Sequence, residues 1–336
     1  MAQHAASHLL ELATAVLTRA RTEAGNARVV AEALIAAEAD GLASHGLSRL
    51  PAYADQALAG KVDGFARPMV ERVAAACLRV DAATGFAYPA IRIGLQDLLP
   101  LARAQGLAAL AIANSHHFGV AGHTVEPIAA AGLVGCIFGN SPAAIAPWGG
   151  SKPLFGTNPI GFAWPRRSVP PLVIDLSLSK VARGKIMIAA QKGDPIPEGW
   201  ALDEAGQPTT DAKAALAGAM LPMGDAKGAA LVLMVELLAV ALTGSNFGYE
   251  ASSFFDTKGA PPRVGQFLIA IDPNAFGGSH ALERAEALFS AILAEPGTRL
   301  PGQRRLALRR RAEAYGISVP DALYAELERR AGLAQS

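Results

Sequence analysis

The sequence predicts an α/β fold, with helices towards both ends of the chain and buried strands between them. Five short apolar runs, at residues 107–113, 133–138, 160–164, 172–174 and 267–271, are separated by Gly-, Pro- and Asn-rich connections. Runs of that length without polar alternation suit strands covered on both faces. Elsewhere apolar residues recur at three- and four-residue spacing, the period of a helix packed along one side. The chain has 336 residues, 51% of them apolar. That is enough for a sizeable core and for two packed units.

The elements follow in order. Residues 6–24 carry Leu9, Ala13, Val16 and Leu17 at helical spacing, with Leu10 and Leu12 beside the stripe. Gly25 is expected to end this helix and Asn26 to cap the next, which runs through Val29, Val30, Leu34 and Ile35 towards Asp40. Gly41-Leu42-Ala43-Ser44-His45-Gly46 breaks the pattern. A helix resumes over 47–58, with Pro51 tolerated in its first turn. A strand is expected at 77–80 and a helix at 85–104, ahead of the five apolar runs. The connection 140–158 is too long to be idle in a compact domain, and 195–208 is a second irregular excursion. Helices at 227–243 (stopped by Gly244), 281–293 and 304–315 complete the chain. No internal repeat is visible.

Composition narrows the function. Lys plus Arg number 30 against 29 Asp plus Glu, which argues against a nucleic-acid partner. The basic cluster Arg304-Arg305 and Arg309-Arg310-Arg311 suits a solvated helix face. Cys77 and Cys136 are the only cysteines, so no disulfide framework is available and a reducing cytoplasm is expected. The N-terminus lacks a basic-then-apolar signal pattern. The longest apolar runs, such as 229–242 with Glu236 inside it, fall short of the roughly 18–20 residues of a membrane span. No two glycines are separated by a single residue, which removes the G-x-G-x-x-G fingerprint; the P-loop and G-x-S-x-G are also absent. Any nucleotide must be held by another fold.

Four constellations carry chemistry. Asn114-Ser115-His116-His117-Phe118-Gly119 follows the first apolar run and precedes a helix-like segment. Strand ends are where open α/β sheets place ligands, although a polar turn has the same composition. Adjacent histidines on extended chain point to opposite faces. His116, His117 and His123 with Glu126 are therefore not expected to converge on a metal, and one histidine facing a ligand while the other packs fits better. Ser44-His45 with Arg49 supplies a proton carrier, a hydroxyl to orient it and a carboxylate grip. That is the equipment for reducing a 2-oxo acid, or else a capping serine with an exposed His and Arg. Lys180 to Lys185, Lys227 and Arg304-Arg305 offer charge for phosphates, with Asp175-Leu176-Ser177 adding backbone and hydroxyl groups; solvated lysines are the alternative. Thr157-Asn158-Pro159 and Asn140-Ser141 place polar groups in apolar surroundings, where they either close loops or face a ligand.

Together these residues give a resemblance over nearly the whole chain. Ala39-Asp40-Gly41-Leu42-Ala43-Ser44-His45-Gly46-Leu47-Ser48-Arg49, residues 114–119, Phe155-Gly156-Thr157-Asn158-Pro159, Val173-Ile174-Asp175-Leu176-Ser177, Ala182-Arg183-Gly184-Lys185, Gly224-Asp225-Ala226-Lys227-Gly228 and Pro301-Gly302-Gln303-Arg304-Arg305 occur in order. The chain resembles the type-2 malate/L-lactate dehydrogenase family, and within it most resembles the (2R)-3-sulfolactate dehydrogenases, through Gly41 to Gly64, Pro142 to Phe155, Ser177 to Lys185 and Tyr249-Glu250-Ala251-Ser252-Ser253-Phe254-Phe255. The resemblance implies a non-Rossmann NAD(P)-binding fold with a largely antiparallel sheet. It implies a mainly helical domain from 1–70 with 295–336, an NAD(P)-binding and substrate domain at 71–294, and a homodimer. By position, Ser44 and His45 are expected to relay the proton, with His117 assisting. Arg49, Thr157 and Lys185 are expected to contact a small anionic carboxylate substrate. His117, Phe118, Gly119, Asp175, Leu176, Ser177, Lys227, Arg304 and Arg305 are expected to contact NADP or NAD, the arginine pair favouring NADP. No metal is implied. The family's cyclic-imine reductases are expected to carry an acidic residue where this chain has Lys185, a cation that suits a second anionic group on the substrate. The implied reaction interconverts 2-oxo and 2-hydroxy acids, 3-sulfopyruvate and 3-sulfolactate first or a malate- or lactate-like acid. The alternatives are reduction of Δ1-piperideine- or Δ1-pyrroline-2-carboxylate, and a non-catalytic nucleotide-binding protein.

Overall fold

The structure is a computed structural model, and it describes residues 2–333. The chain opens with β1 (Gln3–His4), α1 (Ala6–Arg19) and α2 (Ala24–Ala39). Two single 3-10 turns, Ala43–His45 and Leu47–Arg49, lead into α3 (Leu50–Leu58). The hairpin β2 (Met69–Ala74) and β3 (Cys77–Asp81) precedes α4 (Ala87–Gln105), β4 (Leu107–Ser115) and α5 (Ala121–Ala130). Then come β5 (Val134–Gly139), β6 (Ile160–Trp164), β7 (Leu172–Leu176) and α6 (Arg183–Lys192). A small excursion holds β8 (Ala201–Leu202), β9 (Pro208–Thr209), α7 (Ala212–Ala217) and β10 (Ala219–Met220). The last part contains α8 (Asp225–Glu236) with a π turn (Leu237–Ala241), β11 (Val264–Ile271), α9 (Pro273–Gly277) and α10 (Ala281–Ala294). It ends with α11 (Gln303–Tyr315), β12 (Ile317–Ser318) and α12 (Asp321–Ala331).

Among the described residues the main sheet has seven strands in the order β2-β3-β4-β11-β5-β6-β7. Only β3 and β4 pair in parallel; every other neighbour is antiparallel. The five apolar runs all become strands of this sheet. Leu110, Ile112, Ile137 and Leu268 are fully buried, packed under Leu98 of α4 and Val125 and Ile128 of α5. Helices on the sheet explain why these strands read as unbroken apolar runs. The strand β2 was not legible because it lies at the sheet edge with most residues exposed, and Glu71 and Arg72 interrupt it. A second cluster packs Leu9, Val16, Leu34, Leu50 and Tyr53 from the first three helices against Ile317, Val319 and Leu327 from the C-terminal end. A third surrounds Ile145, Leu178, Ile186, Val232 and Val240.

Two boundary expectations are corrected. The first helix stops at Arg19, not near Gly25, and Gly25 lies inside α2. The cap of α2 is Glu23, whose carboxylate accepts from Asn26 N at 3.0 Å. Asn26 instead spends its side-chain amide on the carbonyls of Gly64 and Ala66, at 2.9 and 3.0 Å. The structure also adds α12 after the last helix the sequence predicts. No described helix is long and apolar enough to cross a membrane.

One ionic cluster ties three parts of the chain together. Asp40, the C-cap of α2, has a side chain with no exposure. It accepts from Arg309 Nε and Nη2, both at 2.8 Å, from Arg305 Nη1 at 3.3 Å and pairs with His123 Nε2 at 2.7 Å. Glu126 on α5 takes the same two arginines, at 3.0 Å from Arg305 Nη1 and 2.9 Å from Arg309 Nη1. Burial raises the Asp40 pKa, but Arg309 and His123 outweigh it and hold the carboxyl down to about 2. The contribution of this carboxylate to stability is therefore complete above its ordinary value and is lost as pH falls through 2. Arg309→Met leaves the buried Asp40 and the partly buried Glu126 short of a partner and should cost about 3 kcal/mol in urea unfolding at neutral pH. The gap from wild type should narrow at about pH 3; an equal gap at both pH values would show that Asp40 is not the affected group.

Candidate active site

A cavity of about 840 Å³ opens between the 3-10 turn at Ala43–His45, the loop that follows β4, the strand β7 and the start of α11. Its course can be followed along β7. A Cβ built on Gly302, the N-cap of α11, would lie 3.3 Å from the Val173 carbonyl. Farther on, Ser177 Oγ donates to the Thr157 carbonyl at 3.4 Å. Beyond β7, a Cβ on Gly184 would lie 3.9 Å from Ser44 Cβ. The four steps from Val173 to Ser177 span roughly 13 Å at strand geometry, so the α11 end and the histidine end are well separated.

At the histidine end His45 and His117 stack with ring centroids 5.7 Å apart. His45 Nδ1 shares a hydrogen bond with Ser44 Oγ at 3.0 Å. Arg49 donates from Nε to the Ser44 carbonyl at 2.7 Å and lays its guanidinium over the Phe255 ring at 4.5 Å. Its Nη1 is buried and has no hydrogen-bond partner, an expensive state for a charged donor unless a ligand satisfies it. Burial first, then the nearby Arg49 charge, pushes His45 down to about 4 and His117 well below its ordinary value. Both rings are neutral at neutral pH. In each, the Nδ1 is occupied and the Nε2 has no partner among the described residues. Thr157 lines the cavity beside Ser141, whose Oγ accepts from Thr157 N at 3.0 Å.

At the α11 end Arg304 and Arg299 line the cavity, and neither makes a hydrogen bond or ion pair with a described residue. Arg305 also lines it, but its guanidinium is committed to Asp40 and Glu126. Asp175 lies between the two ends and accepts from Gly122 N at 2.8 Å. The surrounding cavity wall desolvates it and pushes its carboxyl up. Phe118, Gly119, Leu176 and Ser177 also line the cavity.

Not every expected residue lines the cavity. Ser44 and Arg49 stand behind His45, outside the lining itself. Lys185, in the first turn of α6, and Lys227, in the first turn of α8, are exposed and also lie outside it. The histidines of the 114–119 stretch separate: His117 lines the cavity, whereas His116 is buried against Phe86 and Phe254 with Nε2 on Gln56 Oε1 at 2.7 Å. His123 is taken by Asp40, and no group of three or more His, Cys, Asp or Glu among the described residues could hold a metal ion. Asn140 and Asn158 close loops: Asn140 Oδ1 accepts from Gly265 N at 2.9 Å and Asn158 Nδ2 donates to Glu236 at 2.7 Å.

Sequence reasoning missed Tyr53, Gln56, Phe254, Phe255 and Arg299. Tyr53 and Gln56 had a signal: with Arg49 they recur at four and three residues along the segment predicted as a helix, hence on one face. Phe254 packs on His117 with ring centroids 5.1 Å apart and the planes tilted by 53°, and its loop is held by Gln56 and by the buried Lys61, which donates to the carbonyls of Ser253, Asp256 and Lys258. The 249–255 segment entered the sequence reading only through the resemblance, and nothing local in it announces a place beside His117.

The comparisons agree with this geometry. The malate/L-lactate dehydrogenase family model matches residues 5–328. A (2R)-3-sulfolactate dehydrogenase (NADP(+)) of Chromohalobacter salexigens is 58% identical over 316 residues, 94% of each chain. A Δ1-pyrroline-2-carboxylate/Δ1-piperideine-2-carboxylate reductase of Pseudomonas aeruginosa is 46% identical over 94% of this chain and 96% of its own. Among solved structures, Δ1-piperideine-2-carboxylate reductase of Pseudomonas syringae superposes with a TM-score of 0.93 at 42% identity, covering 98% of this chain and all of the other. With matches of this extent, the chain belongs to the malate/L-lactate dehydrogenase family.

Proposed function

We propose that this protein is an NADP(H)-dependent oxidoreductase that interconverts 3-sulfopyruvate and 3-sulfolactate, or a closely similar 2-oxo and 2-hydroxy acid. The carrying observation is the buried, unpartnered Arg49 Nη1 beside two neutral histidines whose Nε2 atoms are free. Arg49 holds the carboxylate of the substrate, and Thr157 contacts it across the cavity. His45, oriented by Ser44, passes a proton taken up from solvent to the C2 oxygen in reduction, and takes a proton from that oxygen and returns it to solvent in oxidation. The chemistry that NADPH would supply when bound is a hydride for C2. The residues present fit such a cofactor: Arg299 and Arg304 are unpaired cations at the α11 end, favouring the extra phosphate of NADP. Phe118, Gly119, Asp175, Leu176 and Ser177 wall the space between. We assign no cofactor contact to Arg305, and Lys227 lies outside the cavity lining.

The fold in this reading is a non-Rossmann NAD(P)-binding unit at 71–294, with a helical domain from 1–70 and 295–336. The lack of the glycine fingerprint and the one parallel strand pair support it. A homodimer in a reducing cytoplasm completes the reading. Exposed Leu231, Leu233, Met234 and Leu237 on α8 and its π turn, with Leu242 just after it, suit a second copy, and Cys77 and Cys136 are unpaired.

Reduction of a cyclic 2-imino acid is the second reading, favoured by the Pseudomonas relatives. Initial rates of NADPH and NADH oxidation with 3-sulfopyruvate, oxaloacetate, pyruvate and Δ1-piperideine-2-carboxylate separate the two. NADPH with 3-sulfopyruvate should give the highest kcat/KM. A higher value for the imine would transfer the assignment, and no turnover with any would leave a nucleotide-binding protein.

Lys185 tests the substrate's second charge. It is exposed and outside the cavity lining, but its neighbour Gly184 lies against Ser44, which supports a test of whether its long side chain reaches the substrate. Lys185→Ala should raise KM for 3-sulfopyruvate about three-fold more than for pyruvate, the scale of an exposed ion pair. Equal effects on both would remove Lys185 from substrate binding.

The histidine electrostatics set the pH dependence. His45, held near 4, is an unprotonated base down to that pH. The kcat/KM for hydroxy-acid oxidation should stay level from about pH 8 to about pH 5 and fall only near 4. An acid limb at the ordinary histidine value would show another group in control.

A further inference from the structure

His117 has one ring nitrogen committed. Its Nδ1 lies 2.5 Å from the hydroxyl of Tyr53, a residue with no exposure on α3. The same hydroxyl lies 3.2 Å from that of Tyr88, in the first turn of α4. These are the only polar partners of the Tyr53 hydroxyl among the described residues. We propose that Tyr53 is a positioning residue: its hydroxyl donates to His117 Nδ1 and fixes the neutral ring with its proton on Nε2, presented to the cavity as a hydrogen-bond donor for the oxygen on C2. The identity of that oxygen rests on the oxidoreductase reading; the tautomer does not.

The direction of the chain follows from counting donors. If Tyr88 donates to Tyr53 and Tyr53 donates to His117 Nδ1, each proton has an acceptor, and the spare donor appears at Nε2, where a ligand can use it. In the reverse direction the Nδ1 proton goes to Tyr53, the Tyr53 proton to Tyr88, and the Tyr88 proton has no acceptor among the described residues. Burial keeps both phenols neutral, Tyr53 being pushed up to about 12 and Tyr88 well above its ordinary value. Packing holds the parts in place. Phe254 covers the His117 ring, and Tyr88 fits because Gly119, at φ 71°, has no Cβ: one built there would lie 2.5 Å from the Tyr88 hydroxyl. The two cavity histidines then divide the work. His117 holds the C2 oxygen through a fixed N–H, and His45, backed by the exposed and rotatable Ser44 hydroxyl, moves the proton.

Nitrogen-15 spectra of the full-length protein labelled at its seven histidines report the tautomer directly, with a His117→Gln sample identifying the His117 signals. Wild type should show protonated Nε2 and bare Nδ1. Tyr53→Phe should shift His117 towards the other tautomer and lower kcat about ten- to a hundred-fold, below the full loss of an oxyanion donor, while KM moves less than about three-fold. Tyr88→Phe, a milder change that removes only the donor behind Tyr53, should lower kcat about three-fold. A wild-type Nδ1–H tautomer, or wild-type kcat in a folded Tyr53→Phe enzyme, overturns the proposal. If wild type turns over none of the four substrates, the functional reading fails while the spectra still decide the tautomer.

Discussion

The site depends on a buried carboxylate. Asp40 ends α2, and the next residues are the turn that carries Ser44, His45 and Arg49. Through Arg305, Arg309 and His123 it is bound to α11 and α5, the two helices that flank the rest of the cavity. Neither hydrophobic cluster nor sheet register fixes that triangle as directly, because the turn itself is poor in buried apolar residues. A charge with no exposure must be fully paired to be tolerated, so the ions that pair it are locked in position too. The catalytic turn, the loop leading into α5 and the arginine-bearing helix thus hold a common frame.

That frame explains how the arginines divide. Arg304 and Arg305 are adjacent in sequence, and on charge alone they are equivalent phosphate ligands. On a helix, adjacent residues point about 100° apart. Arg305 turns inward to Asp40 and Glu126, while Arg304 faces the cavity, where Arg299 joins it. An arginine already held by two carboxylates has little field left for a phosphate.

Most of the sheet was legible because its central strands are covered by helices and therefore write themselves as apolar runs. What was not legible depends on contacts between distant residues. The edge strand β2 packs too little to leave a pattern. The cap at Glu23 was hidden because Asn26 is the better-known capping residue, yet its amide had a use at Gly64 and Ala66. In the site, the motifs around His117, Thr157 and Asp175 were visible as polar groups beside apolar runs and the one around His45 as a break in a helical pattern, and the structure brings these four residues to one cavity. Phe254 and Phe255 lie some 140 residues beyond His117 and reach it only through the loop clamped by Lys61 and Gln56.

The electrostatics of the histidine corner follow from the same enclosure. A cavity that desolvates His45 and His117 enough to keep them neutral also leaves the Arg49 charge poorly screened. Neutral rings suit a site that must admit an anion without binding protons it does not need. Arg49 supplies attraction at one fixed point and lowers both histidine pKa values. When a carboxylate settles on Arg49, the nearby positive charge is offset and the histidine that faces it becomes easier to protonate. Substrate binding and the arrival of the proton are thereby coupled in sign: a carboxylate on Arg49 offsets one of the charges that hold His45 down, while burial continues to oppose its protonation.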